Sequence, residues 1–390
     1  MTIEASYSHA EAASARIRLG MVGGGEGAFI GAVHRIAARL DDQFVLSAGA
    51  LSSTPEKAAR SAAAIGLARS YPDYRTMARE EAARADGIEV VTIVTPNDQH
   101  AAVAEAFLEA GIHVICDKPV TTNVADAHRL QAIAQARRRI FAVTYNYTGY
   151  PMVRQARRMV RDGELGEIRL VQVEYPQDWL TEPLETTGQK QAAWRTDPQR
   201  SGPGGCIGDI GTHAYQLAGF IAGMQPSQLC AELSTFVPGR ALDDNVQIML
   251  RYANGARGML WASQVAPGNE NALRIRVYGS RAGLEWQQEQ PNRLQVSRFG
   301  EAPQTVSRGS GAAHADAARV TRLPAGHPEG YFEGFATLYS EIGHAIRAAR
   351  DGRAPAAEVN FPTLEDGIHG VAFIEAAIRS SADGGLWVGV

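Results

Sequence analysis

Asp209 and His213 stand four residues apart in the run Gly202-Pro203-Gly204-Gly205-Cys206-Ile207-Gly208-Asp209-Ile210-Gly211-Thr212-His213, which leads into an apolar helical stretch, Tyr215 to Ile221. On a helix that spacing puts both side chains on one face, where the carboxylate can orient the imidazole and raise its basicity. A histidine so held can take a proton from a carbinol while hydride leaves the same carbon. The spacing is equally that of an N-cap aspartate followed by a packing histidine, and alone it does not choose. A second candidate is Lys118 in Asp117-Lys118-Pro119, directly after a short apolar run. A lysine at a strand end facing a cofactor can hydrogen-bond a substrate hydroxyl and stabilise the developing alkoxide. A lone lysine there is otherwise a surface charge.

Hydride chemistry needs a dinucleotide, and the first apolar run, Ile17 to Val22, ends in Gly23-Gly24-Gly25-Glu26-Gly27-Ala28-Phe29-Ile30-Gly31 before a helical pattern through His34 to Leu40. Glycines in a strand-to-helix turn let the backbone approach a pyrophosphate, and the helix N-terminus offers free N–H groups and the positive end of its dipole. Gly23 and Gly25 fit the fingerprint, but Gly31 comes later than the third glycine should, and a glycine-rich turn that binds nothing stays open. The second strand ends in Gly49-Ala50-Leu51-Ser52-Ser53, without the acid that usually holds a ribose 2'-hydroxyl of NAD. Ser52, Ser53 and Lys57 offer instead the hydroxyls and cation that suit a 2'-phosphate, which favours NADP, with NAD the alternative.

The elements that must position these groups follow the same logic. From Ile17 to about Thr144, short apolar runs alternate with helical patterns, the signature of a doubly wound parallel sheet. The strands expected are 17–22, 44–51, 89–95, 113–117 and 140–144. Thr54-Pro55 reads as an N-cap with proline in the first turn, and Asn97 or Asp98 as the cap of a helix that Gly111 ends. Ligands of such sheets bind beyond the carboxyl ends of the strands. The segments of interest there are Thr95-Pro96-Asn97-Asp98-Gln99-His100, Asp117-Lys118-Pro119 and Tyr145-Asn146-Tyr147. Beyond Tyr150 a helix, 152–161, precedes alternating strands such as 168–175, a hairpin turning at Asn254-Gly255, and strands 273–279 and 283–287. The fold class is therefore an α/β Rossmann domain (16–147) followed by an α+β domain (148–390), after a floppy leader (1–15). Residues 300–326 read as a long loop, and 331–350 and 364–380 as closing helices.

The composition limits the remaining possibilities. The 390 residues suit two domains, and 45% hydrophobic with 21% charged residues is the balance of a globular chain with large cores. A net charge of -4 argues against nucleic acid as a partner. No apolar run approaches the ~20 residues of a membrane span. Cys116, Cys206 and Cys230 have no spacing for a disulfide framework or a metal site, which fits a reducing, cytoplasmic compartment.

Four motifs in order, Gly31-x-x-His34, Thr95-Pro96-Asn97-x-x-His100, Asp117-Lys118-Pro119 and Gly208-Asp209-x-Gly211-x-His213, resemble the glucose-fructose oxidoreductase / inositol dehydrogenase (Gfo/Idh/MocA) family over nearly the whole chain. The resemblance implies a Rossmann domain followed by a large, mostly antiparallel sheet whose open face makes a homodimer or homotetramer. It implies Lys118, Asp209 and His213 as the catalytic set, with a Lys118–Pro119 bond that is often cis in the family. Asp117 replaces the usual glutamate. The dinucleotide is expected against Gly23, Gly25, Gly27, Ala28, Phe29, Ile30, Ser52, Ser53, Lys57, Thr95, Pro96, Asn97, His100, Asp117, Lys118 and Asn146. Trp194, Arg195 and His327 join the catalytic set as expected substrate contacts, and no metal is expected. The implied activity is NAD(P)-dependent oxidation of a secondary alcohol of a sugar, sugar derivative or cyclic polyol. Two alternatives remain: glycoside cleavage through transient oxidation by bound cofactor, and a non-catalytic dinucleotide sensor.

Overall fold

In the computed structural model, which describes residues 16–390, the first half of the chain forms six parallel strands. They are β1 (Ile17–Gly23), β2 (Phe44–Ala50), β3 (Arg69–Ser70), β4 (Val90–Val94), β5 (His113–Cys116) and β6 (Phe141–Val143), in the order β3-β2-β1-β4-β5-β6. β4 is buried along its whole length, as a central parallel strand covered on both faces must be. The two-residue β3 and the helix Tyr74–Ala82 have no counterpart in the sequence reading; β3 is too short to carry a period. The expected caps differ in detail. Thr54 occupies an N-cap position without a side-chain bond, and the helix Asn97–Glu109 begins at Asn97 itself, whose amide donates to Ser201 O at 2.9 Å.

Strand order reverses between β1 and β4, so the connections that leave their carboxyl ends diverge and open a crevice there. The glycine turn, Thr95, Lys118 and Asn146 follow β1, β4, β5 and β6 respectively, and all lie on that edge.

The second sheet has nine strands in the order β14-β13-β12-β11-β7-β10-β9-β8-β15. In chain order they are β7 (Ile168–Pro176), β8 (Pro226–Ser234), β9 (Asn245–Tyr252), β10 (Arg257–Ser263), β11 (Arg274–Gly279), β12 (Ala282–Gln287), β13 (Arg293–Arg298), β14 (Gln304–Ser307) and β15 (Val388–Gly389). Only β7 and β10 run parallel. The inner face packs on the helices Pro151–Arg161 and Thr212–Ala222 and on the latter part of Leu364–Ala382. Leu170, Met249, Met259 and Tyr278 point to the other face and are 39–53% exposed. Within the segment expected to be one long loop, residues 304–307 form β14 and 315–318 a short helix.

The boundary expected at residue 148 describes chain order but not packing. The helix Tyr331–Arg350 buries Phe335, Leu338, Tyr339, Ile342 and Ile346 against β1 and β2, and Leu364, Ile368 and Val371 join the core on the opposite face of the same sheet. The chain thus returns to brace the first sheet after building the second.

Candidate active site

The glycine turn is shaped by close backbone approach. A Cβ at Gly31 would come within 2.4 Å of Gly24 Cα, so the third glycine of the fingerprint does its packing work from Gly31, opposite Gly24. The extra residues bulge outward instead: Glu26, Gly27 and Phe29 are exposed, and Gly27 (φ +79°) has open space around it. The helix Phe29–Leu40 has no side-chain cap at Ala28, which leaves its first N–H groups for an anion. Nearby polar atoms are similarly unclaimed: Thr95 Oγ1 and Asn146 Nδ2 are buried without a partner. A close-approach turn, a bare helix N-terminus and orphaned polar atoms together fit a dinucleotide. Gly23, Gly25, Gly27, Ala28 and the exposed Phe29 would line its pyrophosphate side, with Ile30 partly buried behind them and Pro96 at the N-cap beside Thr95. Ser52 and Ser53 follow β2, and Lys57 lies in the first turn of the next helix. Lys190, carried by the other half of the molecule, has its pKa pushed down by burial and by the charges of Lys57 and Arg200.

His100 is not available to a cofactor. Its fully buried ring lies 2.8 Å from Pro119 O through Nδ1 and 3.0 Å from Thr95 O through Nε2, so it joins the β4 and β5 turns rather than facing the crevice. The Lys118–Pro119 bond in the turn it braces is cis. Asp117 is held from behind: Thr144 Oγ1 donates at 2.5 Å and His34 Nε2 at 3.1 Å. Since a carboxylate only accepts, His34 Nδ1 takes the hydroxyl proton of Tyr339 at 2.8 Å, and Tyr339 in turn accepts from Thr92 at 2.9 Å. Burial opposes the charge on Asp117, but His34 and Thr144 outweigh it and hold its pKa down at about 2.

Asp209 lies on a π-turn, Ile207–Gly211, that runs into the helix Thr212–Ala222. Among the described residues no hydrogen bond or ion pair joins Asp209 to His213, although the Asp209 charge still acts on the ring. Lys118 Nζ donates to Asp209 Oδ1 at 3.1 Å and also to its main-chain oxygen, Arg195 Nε donates to Oδ1 at 3.3 Å, and Gln264 Nε2 to Oδ2 at 2.9 Å. Two causes act together. The wider π-turn alters the phase between positions four apart, and two cations bind a carboxylate more strongly than a neutral ring does. Burial disfavours the Asp209 charge, yet Lys118 and Arg195 keep its pKa far below the ordinary carboxylate range.

His213 stands edge-on to Tyr145, Tyr147 and Tyr175, with ring centroids at 5.7, 5.0 and 6.4 Å, and its Nδ1 is buried without a partner. Burial, then the nearby Lys118 charge, press its pKa well below 6.5. The ring is therefore neutral near neutral pH and can act as a base. Its neighbours are also anchored: the hydroxyls of Tyr147 and Tyr175 are bonded to each other, and Tyr175 donates to Asn271 Oδ1 at 2.8 Å.

Trp194 and Arg195 end the short helix Lys190–Arg195. The guanidinium of Arg195 lies 4.3 Å from the centroid of the Trp194 ring, so one indole face is already covered by a cation. His327 is exposed, and its main-chain oxygen is held by Arg308; among the described residues no hydrogen bond or ion pair joins its ring to Lys118, Asp209 or His213. Tyr331, four residues on, is instead close enough to Asp117 and Asp209 to feel both charges, which with burial and the neighbouring tyrosines drive its pKa up. Of that segment, the structure brings Tyr331 rather than the His327 ring near Asp117 and Asp209. Gln264 had no local signal, because only the pairing of β10 with β7 and β9 brings it to Asp209.

Two family descriptions match the chain: "Oxidoreductase family, NAD-binding Rossmann fold" over residues 17–145 and "GFO/IDH/MocA C-terminal domain" over residues 153–285. Among solved structures, the chain is similar to an oxidoreductase from Sinorhizobium meliloti (52% identity, TM-score 0.87, covering 96% of this chain and 99% of that one). It is also similar to an inositol dehydrogenase homolog from Azotobacter vinelandii complexed with NADH and myo-inositol (39% identity, TM-score 0.91, 97% and 98% covered). The levoglucosan dehydrogenase of Pseudarthrobacter phenanthrenivorans is 29% identical over 96% of this chain and 98% of its own length. With its glycine turn, its Lys118 and its Asp209 π-turn set in a matching two-sheet fold, the chain belongs to the Gfo/Idh/MocA family of oxidoreductases.

Proposed function

We propose that the protein oxidises or reduces a secondary alcohol carbon of a sugar, sugar derivative or cyclic polyol, with Lys118, Asp209 and His213 as the catalytic set. The observation that carries this reading is the sharing of one site by the Lys118 amine and a neutral imidazole, the first fixed on Asp209 and the second left with an unpartnered nitrogen. In the oxidative direction His213 accepts the hydroxyl proton, and Lys118 stabilises the developing alkoxide. Asp209 holds the Lys118 ammonium in place. Arg195 joins Lys118 on Asp209 Oδ1 and, with Trp194, would meet the substrate hydroxyls. A bound nicotinamide dinucleotide supplies the hydride acceptor or donor. Relatives complexed with myo-inositol or named for levoglucosan support this substrate class.

NADP is the proposed cofactor: no acid ends β2, and Ser52, Ser53 and Lys57 stand there with Lys190 and Arg200 near enough for their charges to interact. Ser52→Asp should turn the NADP/NAD ratio of kcat/KM towards NAD by about tenfold; an unchanged ratio removes the 2'-phosphate argument. The exposed Leu170, Met249, Met259 and Tyr278 form one patch on the second sheet, which supports self-association as a dimer or tetramer, read by native mass. None of the described helices is long and apolar enough to cross a membrane. The three free cysteines suit the cytoplasm. The activity itself is tested by incubating the purified protein with NADP or NAD and a panel of inositols, monosaccharides and anhydrosugars, following absorbance of the reduced cofactor. Absence of turnover across all three substrate classes would reject the reading.

A further inference from the structure

The π-turn that carries Asp209 is hung from a buried carboxylate with no cation beside it. Asp243 is 8% exposed and lies just before β9. Its Oδ1 accepts from Gly205 N at 2.6 Å, its Oδ2 from Ile207 N at 2.8 Å, and its main-chain oxygen from Cys206 N at 2.8 Å. Three consecutive N–H groups at the start of the helical run, donors that no intrahelical partner can satisfy, thus end on one residue. Gly205 makes the approach possible, since a Cβ there would fall 2.2 Å from Asp243 O. Among the described residues no lysine or arginine pairs with the carboxylate. Burial of such a group is costly, and burial does raise its pKa to about 6 against the pull of the N–H donors.

The neighbouring residue sets the other side of the same aspartate. Asp244 O accepts from Gln264 N at 2.8 Å, and Gln264 Nε2 holds Asp209 Oδ2. The Asp244 carboxylate accepts from Arg240 at 3.3 Å, and Arg240 also grips Leu180 O and Glu185, at the start of the segment that ends in Arg195. The main chain under Asp209, the amide on Oδ2 and the connection to the cation on Oδ1 all trace to this two-residue junction.

We propose that Asp243 is a positioning residue: through the main chain of Gly205, Cys206 and Ile207 it sets the π-turn so that Asp209 meets Lys118. Among the described residues no hydrogen bond or ion pair joins its side chain to Lys118, Asp209 or His213. The inference rests on the catalytic assignment of Lys118 and Asp209 made above. An amide in its place keeps one acceptor but turns an NH2 group towards the second N–H donor, so the turn loses one of its two side-chain anchors.

The test compares Asp243→Asn, Asp243→Ala, Asp209→Asn and the double variant Asp209→Asn/Asp243→Asn in the full chain, using the best substrate from the panel. Asp243→Asn should lower kcat by about 100-fold, the size of loss that sub-ångström to ångström misplacement of a reacting group produces, while reduced-cofactor affinity, read by fluorescence titration, stays within about twofold. In the Asp209→Asn background the same change should alter kcat by less than about twofold, because the two residues act through one contact. Asp243→Ala should lose more than Asp243→Asn; if it fails to fold, Asp243→Asn and the double variant decide alone. Asp243→Asn with a near-parental kcat, or losses that multiply in the double variant, would overturn the proposal. An Asp209→Asn enzyme as fast as the parent would instead sink the assignment of Asp209, and this inference with it.

Discussion

The molecule contains two buried aspartate and histidine neighbourhoods that behave in opposite ways. His34 and Asp117 are 83 residues apart in sequence, yet their side chains bond at 3.1 Å inside a chain of hydroxyls. Asp209 and His213 are four residues apart and do not bond; Asp209 turns to Lys118, Arg195 and Gln264, and His213 is left among tyrosines. The difference lies in what else can reach each carboxylate. Among the described residues no lysine or arginine pairs with Asp117, so an imidazole and a hydroxyl hold it. Asp209 sees two, and charge-assisted bonds from ammonium and guanidinium displace a neutral ring. The first arrangement is a brace, and the second separates an aimed ammonium from a free base.

The largest way to break this comparison is to remove the cation that Asp209 holds. Lys118→Met should lower kcat by about 1,000-fold while cofactor affinity stays within a few fold, because in the proposed reaction the lost group acts on the developing alkoxide and not on the dinucleotide as a whole. A parallel loss of cofactor binding, measured by fluorescence titration, would show Lys118 to be mainly a cofactor ligand. The brace should fail differently. His34→Ala should cost about 3 kcal/mol of stability in denaturant unfolding, since it leaves the Asp117 carboxylate and the Tyr339 hydroxyl without their central partner. A cost near zero would mean that water replaces the ring and that the chain of hydroxyls is incidental.

Two pH experiments sharpen the same contrast. With its pKa pressed well below 6.5, His213 is already unprotonated at neutral pH, so oxidative kcat should hold steady as pH falls from about 8 through about 6.5. A decline with an apparent pKa near or above 6.5 would mean that a carboxylate supports the imidazolium after all, as the four-residue spacing first suggested. Asp117 titrates lower when folded, at about 2 against an ordinary 3.8. The stability it contributes is therefore complete above about 3.8 and lost as pH falls towards 2. Asp117→Asn should flatten that part of the curve of melting temperature against pH. An unchanged slope would place the acid sensitivity in other carboxylates.

Much of this architecture was written in local pattern. Continuous apolar runs identified five of the six parallel strands, because a strand buried on both faces must be apolar throughout. The hairpin turn at Gly255 announced itself through a residue able to take φ +90°. Lys118, Asp209 and His213 were legible as strand-end and helix-start residues in motifs of restricted composition. The ring of His327 lies exposed and Tyr331 turns inward instead, because a dense cluster of functional side chains does not say which of its residues faces the interior. His100 misled because a polar residue after a strand end can as well tie two turns together as face a ligand.

The sequence by itself determined the parallel sheet, its dinucleotide crevice and the candidates for acid–base chemistry, since these depend on periodicity, turn chemistry and side-chain type, all of which are local. Only the tertiary structure decided which partner each charge takes. Lys118 in the turn after β5, Arg195 and Asp209 in the second half of the chain and Gln264 beyond β10 converge from segments far apart in sequence. Electrostatic preference is settled by distance and burial in three dimensions, where the strongest available partner wins regardless of its place along the chain.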